Sequence, residues 1–130
     1  MGATNIIDSI VLDGQWQQVD NEGYNNFYVI GVKEDAQVTD TIDVKKVRLI
    51  SLELGIDSGI ENKPITIGRV TLNFGEETSS DPEINSRTAF TFLSRVPDVF
   101  YIRPISIDDG SKRYTDGSVS IGINVNAFKI

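Results

Sequence analysis

The amino-acid sequence predicts an all-β fold: an antiparallel two-sheet sandwich, jelly-roll-like or Greek-key, with about eight strands. Three observations carry that expectation. Ile and Val together number 29, against 10 for Leu and Ala. β-Branched side chains lose rotamer freedom on a helix and sit well on a pleated surface. Apolar and polar residues alternate with period two in several stretches, most clearly in GSVSIGINVNAFKI at the end of the chain. Turn signals interrupt the chain at short intervals, with Asp-Gly at 13–14, 109–110 and 116–117, NEG at 21–23 and DSG at 57–59.

The elements follow in order. IIDSIVL (6–12) and WQQV (16–19) supply the first two strands. Trp16 alternates with Gln15 and Gln17 ahead of Val19, a pattern read as an indole pointing into the core. NFYVIGV (26–32) follows the NEG turn. DTIDVKKVRLISLELG opens on Asp40 and closes on Gly55 as a capped helix would, yet its apolar residues scatter around a helical wheel. As a strand, Ile50, Leu52 and Leu54 share one face after a phase change near Leu49. PITIGRVTLNFG places Ile65 and Ile67 on one parity and Val70, Leu72 and Phe74 on the other. A bulge at Gly68 would return all five to the core. TAFTFLSRV (88–96) and VFYIRPISI (99–107) come next, and Pro104 implies an edge position or an unpaired N–H. In the last strand Val119, Ile121, Ile123, Val125 and Ala127 share the inner face. The acidic stretch GEETSSDPEINS (75–86) is expected as an exposed loop.

A chain of 130 residues reads as a single domain, 1–130, large enough to bury a core. It has no cysteine and no histidine. Disulfides, thiolate metal sites and every chemistry that needs imidazole are therefore excluded. MGATNIIDSIVL has no basic segment and no long apolar run, so no signal peptide is expected and synthesis in a cytoplasm is. No apolar run is long enough for a membrane span. The net charge is −7, and residues 1–40 hold seven acids and one base. An acidic surface disfavours nucleic acid, whose phosphates reward basic grooves.

Residues 13–31 hold the candidate binding site. Trp16, Tyr24, Asn25 and Tyr28 combine rings that could stack on a pyranose with amides that could meet its hydroxyls. The plainer reading is a strand, a turn and a strand around an inward Trp16. Acidic turns at Asp20, Glu22, Asp57, Asp108, Asp109 and Asp116 suit a hard cation, but none follows the EF-hand spacing. Asp also initiates turns unaided, so no metal and no cofactor is expected. Carboxylate pairs are the remaining catalytic option. Glu53 falls on a solvent-facing strand parity, and no active site can be named, so no enzyme is expected.

Several strands carry apolar residues on both faces: Phe90 and Phe92 with Ala89 and Leu93, Tyr101 and Ile105 with Phe100 and Ile102, and Leu49 with Ile50. A two-layer sandwich covers one face of each sheet, so a second copy of the chain is expected to cover the other. In its Asn/Thr/Ser/Asp/Gly-rich texture, its lack of Cys and His and its strand at the C-terminal end, the chain resembles small structural β-proteins of bacteriophage particles. That resemblance implies a non-enzymatic, homo-oligomeric virion component, of capsid-decoration, head-fibre or tail-associated type. Its partners would be itself and other virion proteins, with no nucleic acid and no membrane. GQWQQV followed by NNFYVIGV is similar to the early strands of jelly-roll carbohydrate-binding modules, and implies the alternative of saccharide binding around Trp16 and Tyr24.

Overall fold

β-Branched alternation becomes strand throughout. The computed structural model describes residues 3–34, 40–61, 63–75, 87–117 and 119–130. Residues 76–86 of the expected acidic loop lie outside them. Strands β1 (Ala3–Ile7), β2 (Ile10–Val11), β3 (Gln17–Asp20) and β4 (Asn26–Lys33) come first. They are followed by β5 (Leu49–Ile56), β6 (Ile65–Asn73), β7 (Thr88–Ser94) and β8 (Val99–Asp108). The short β9 (Arg113–Tyr114) and β10 (Ser120–Ile121) lead into β11 (Ile123–Lys129). The protein is all-β with antiparallel sheets, and no α-helix occurs among the described residues.

Sheet I has the order β1-β11-β4-β7, and sheet II has β3-β8-β5-β6 with β9 also paired to β8. The β2–β10 pair continues the β1–β11 pairing past a break at residues 8–9. The pairings nest. β1 pairs β11, β3 pairs β8, β4 pairs β7 and β5 pairs β6, all antiparallel. The chain is therefore a ribbon folded back on itself, closed by the β11–β4 and β8–β5 ladders.

The inner faces of the two sheets share one core. Phe27 of β4 meets Phe100 of β8 edge to face, ring centroids 5.4 Å apart, a geometry worth about 0.5–1.5 kcal/mol beyond area burial. Val29, Val125 and Ala127 from sheet I and Ile50, Leu52, Leu72 and Ile102 from sheet II complete its centre. At Gly31 the side chains of sheet II press against the backbone of sheet I. A Cβ there would lie 2.8 Å from Leu72 Cδ1 and 3.0 Å from Phe74 Cζ, so only glycine fits without repacking.

Three irregularities expected from the sequence each take a definite form. The segment before β5 contains a 3₁₀ turn, Val44–Lys46, capped by Asp43, whose side chain accepts from the Lys45 N–H. That turn buries Val44 and Val47 and accounts for the phase change before Leu49. The bulge expected in β6 is present: Leu54 opposes Gly68 while Gly55 opposes Thr66, leaving Ile67 as the extra residue. It does not return every apolar residue to the core, because Ile65 and Ile67 remain 53% and 50% exposed. Pro104 lies in an interior strand. β8 pairs β3 through Ile102 and β9 from Ile107, and Pro104 falls in the gap between them.

Candidate functional site

The outer face of sheet I carries the largest exposed aromatic group among the described residues. Alternation along β4 turns Phe27 and Val29 inward and Tyr28, Ile30 and Val32 outward. In β7, Ala89 and Leu93 are buried while Phe90 and Phe92 point out, 69% and 51% exposed. Register then aligns the outward side chains: Phe128 opposes Tyr28, which opposes Phe92, and Ile30 opposes Phe90. The Tyr28 ring centroid lies 5.7 Å from that of Phe90 and 5.5 Å from that of Phe92. Beside the rings runs an amide ladder. Asn5 Nδ2 donates to Asn126 Oδ1 at 3.2 Å, Asn126 Nδ2 to Asn124 Oδ1 at 2.8 Å, and Asn124 Nδ2 to Glu34 Oε1 at 2.6 Å.

Sheet II differs, because the chain covers part of its own outer face. Trp16, just before β3, lies over Gly55 of β5. A Cβ on Gly55 would meet the indole Cη2 at 2.9 Å and Cζ3 at 3.0 Å. Arg103 stacks on the indole, its Cζ 4.2 Å from the ring centroid. The same guanidinium holds Glu53 Oε1 through Nε at 3.1 Å and Nη2 at 3.0 Å, and donates to the Gly14 carbonyl through Nη1 at 3.3 Å. Beside this stack an open cleft of about 860 Å³ lies between the segment before β3 and the β5–β6 turn.

These positions correct the inward reading of Trp16. Val19 is buried in β3, and Trp16 is three residues away, on the opposite parity of an extended chain. Only one of the two can enter the core, and Val19 does. Of the four residues grouped by sequence, Trp16 lies on the outer face of sheet II and Tyr28 on that of sheet I. Tyr24 packs half-buried against the core, and Asn25 is exposed in the turn between β3 and β4. The fold does not gather them into one site. Sequence reasoning missed Tyr101 and Arg103 as neighbours of Trp16, because the β3–β8 pairing that brings them together spans more than eighty residues. Glu53 takes the outward parity expected for it, but under Arg103 its side chain is only 12% exposed.

The acidic turns are organised by their own backbone. Asp57 Oδ1 accepts from the Gly59 N–H at 2.8 Å and Asp108 Oδ1 from the Gly110 N–H at 2.7 Å. No cluster of three or more carboxylates arranged as metal ligands occurs among the described residues. Among the same residues no helix is long and apolar enough to cross a membrane. Comparison with known protein families, curated proteins and solved structures finds no match to this chain.

Proposed function

We propose that the chain is a non-enzymatic assembly subunit: a β-sandwich of jelly-roll type that binds a second copy of itself through the outer face of sheet I. The observation that carries the reading is the aligned, solvent-facing row of Phe128, Tyr28 and Phe92 with Phe90 beside it. On the scale of a whole aromatic side chain, these four rings expose roughly 400 Å². That is about half of what each partner contributes to a standard interface. The adjoining amides, with Ile30 and Val32, can supply the remainder as a polar rim and flanking contact. Among the described residues β7 is also an edge strand, and its 89–94 stretch has no proline and no charged residue to deter pairing with another copy.

The nested pairing supports the jelly-roll assignment, since a ribbon rolled up in this way gives the sheet orders β1-β11-β4-β7 and β3-β8-β5-β6. Jelly rolls serve both capsid subunits and lectins. The narrower reading, a virion component, rests on that analogy and on the texture of the sequence, and fold alone does not assign function.

Light scattering coupled to size exclusion tests the assembly reading. The expected mass is a multiple of 14.4 kDa, and Phe90→Ser/Phe92→Ser should reduce it to the monomer with an unchanged β circular-dichroism spectrum. A monomeric wild-type chain at high micromolar concentration would overturn the proposal.

A further inference from the structure

We infer that the cleft beside Trp16 is a binding site for a neutral saccharide. It lies on the outer face of sheet II, away from the aromatic face of sheet I, so the inference does not depend on assembly. Three features define the ligand chemistry.

The first is a fixed aromatic floor. Trp16 and Tyr101 both line the cleft and are half-exposed. Their rings can give apolar and CH–π contact to the face of a pyranose. Arg103 on the indole, itself held by Glu53 and the Gly14 carbonyl, keeps Trp16 from turning away. A platform ordered before the ligand arrives loses little entropy on binding.

The second is a set of unused polar groups. Among the described residues, no protein group hydrogen-bonds the side-chain amides of Gln15 and Gln18, the Tyr101 hydroxyl or the Trp16 indole N–H, and all four residues border the cleft. An amide offers a donor and an acceptor side by side, which matches adjacent sugar hydroxyls.

The third is charge balance. Asp57 and Glu61 on the β5–β6 turn line the cleft together with Lys63 and Arg103, and Arg103 is already paired with Glu53. With Arg103 neutralised by Glu53, one net negative charge remains among Asp57, Glu61 and Lys63, which disfavours an anion, while the unused amides and the rings suit a neutral polyhydroxylated ligand. The cleft volume of about 860 Å³ falls within the usual range of small-molecule sites, about 300–1,000 Å³. The partners of Trp16 are thus Tyr101, Gln15 and Gln18, and not the Tyr24 and Tyr28 that follow it in sequence.

Trp16 is the only tryptophan, so its fluorescence reports on the site directly. The full chain would be titrated with cellopentaose, maltopentaose, mannopentaose and chitopentaose to millimolar concentration. The expected result is a saturable change in emission with at least one of them. Gln18→Ala and Tyr101→Ala should each weaken binding about ten-fold, as loss of one good contact does, while Phe90→Ser/Phe92→Ser leaves it unchanged. If Tyr101→Ala does not fold, Gln18→Ala, an exposed side chain, decides alone. Absence of a saturable response to all four sugars would overturn the inference, as would binding of full strength in Gln18→Ala.

Discussion

Asp109 shows how one side chain can organise a turn in a molecule with few buried polar groups. Its Oδ1 accepts from the Ser111 N–H at 3.0 Å, the Ser111 hydroxyl at 2.8 Å and the Lys112 N–H at 2.9 Å. Its Oδ2 accepts from the Tyr114 hydroxyl at 3.1 Å. Donors aimed at a carboxylate favour its charged form. The Ser111 N–H acts most strongly, and the donors together outweigh the opposing effect of lost hydration, so the pKa falls from 3.8 to about 2. Lost hydration first, and then the Asp109 carboxylate, raise the Tyr114 phenol. A carboxyl whose pKa is lowered on folding stabilises the native state fully above its ordinary pKa, and loses that contribution as pH falls through the folded value. Because the turn is open to solvent, the gain is held to about 1 kcal/mol or less. Asp109→Asn should therefore melt below the wild type at neutral pH. The gap should narrow as pH drops from 3.8 to about 2 and close below it, as read by thermal denaturation monitored by circular dichroism. A gap that persists well below pH 2 would mean that packing, and not the ionised carboxylate, holds the turn.

Within β6 the bulge separates two kinds of apolar residue. Beyond it Leu72 is fully buried between the sheets, whereas Ile65 and Ile67 before it face water. Leu72→Ala should cost about 2–5 kcal/mol by lost burial and cavity formation. Ile65→Thr and Ile67→Thr should each stay within about 0.5 kcal/mol of the wild type. Urea denaturation would measure all three, and a cost above about 1 kcal/mol for either threonine would place that residue against a neighbour in solution. The same strand shows what sequence could tell. The phase break at Gly68 was legible because one inserted residue reverses a period-two pattern. Which side of the break met the core was not, since that depends on how far the opposing sheet reaches. Strand β11 was legible from alternation alone. Trp16 was misassigned although its parity against Val19 was available in the sequence. The Trp16 cleft itself was not legible, because it is assembled by pairing β3 with β8 and by the β5–β6 turn. The two-sided apolar pattern at 88–96 did point to the exposed Phe90 and Phe92, because there both parities of one strand are apolar.

At the scale of the whole molecule, the two outer faces are finished differently, and charge determines how a second copy can approach. Trp16, Arg103 and Glu53 cover part of sheet II from within the chain. The outward strand residues of sheet I, from Thr88, Phe90 and Phe92 through Tyr28 and Ile30 to Asn124, Asn126 and Phe128, include no charged side chain, and Glu34 stands at the end of this face, bonded to Asn124. Each copy nevertheless carries a net charge of −7. Two copies meeting through sheet I would gain apolar burial, which salt strengthens slightly, while their like net charges repel through solvent. At physiological ionic strength the screening length is about 8 Å and shortens as salt is added. Association through this face should accordingly tighten as salt rises. Sedimentation velocity over a salt series should show the weight-average mass increasing with ionic strength, and Phe90→Ser/Phe92→Ser should abolish the trend. The opposite slope, with oligomers dissociating in salt, would require attraction between opposite charges. That would move the interface off sheet I and onto the charged loops, where the acidic residues of positions 1–40 would meet the bases at Lys45 and Lys46.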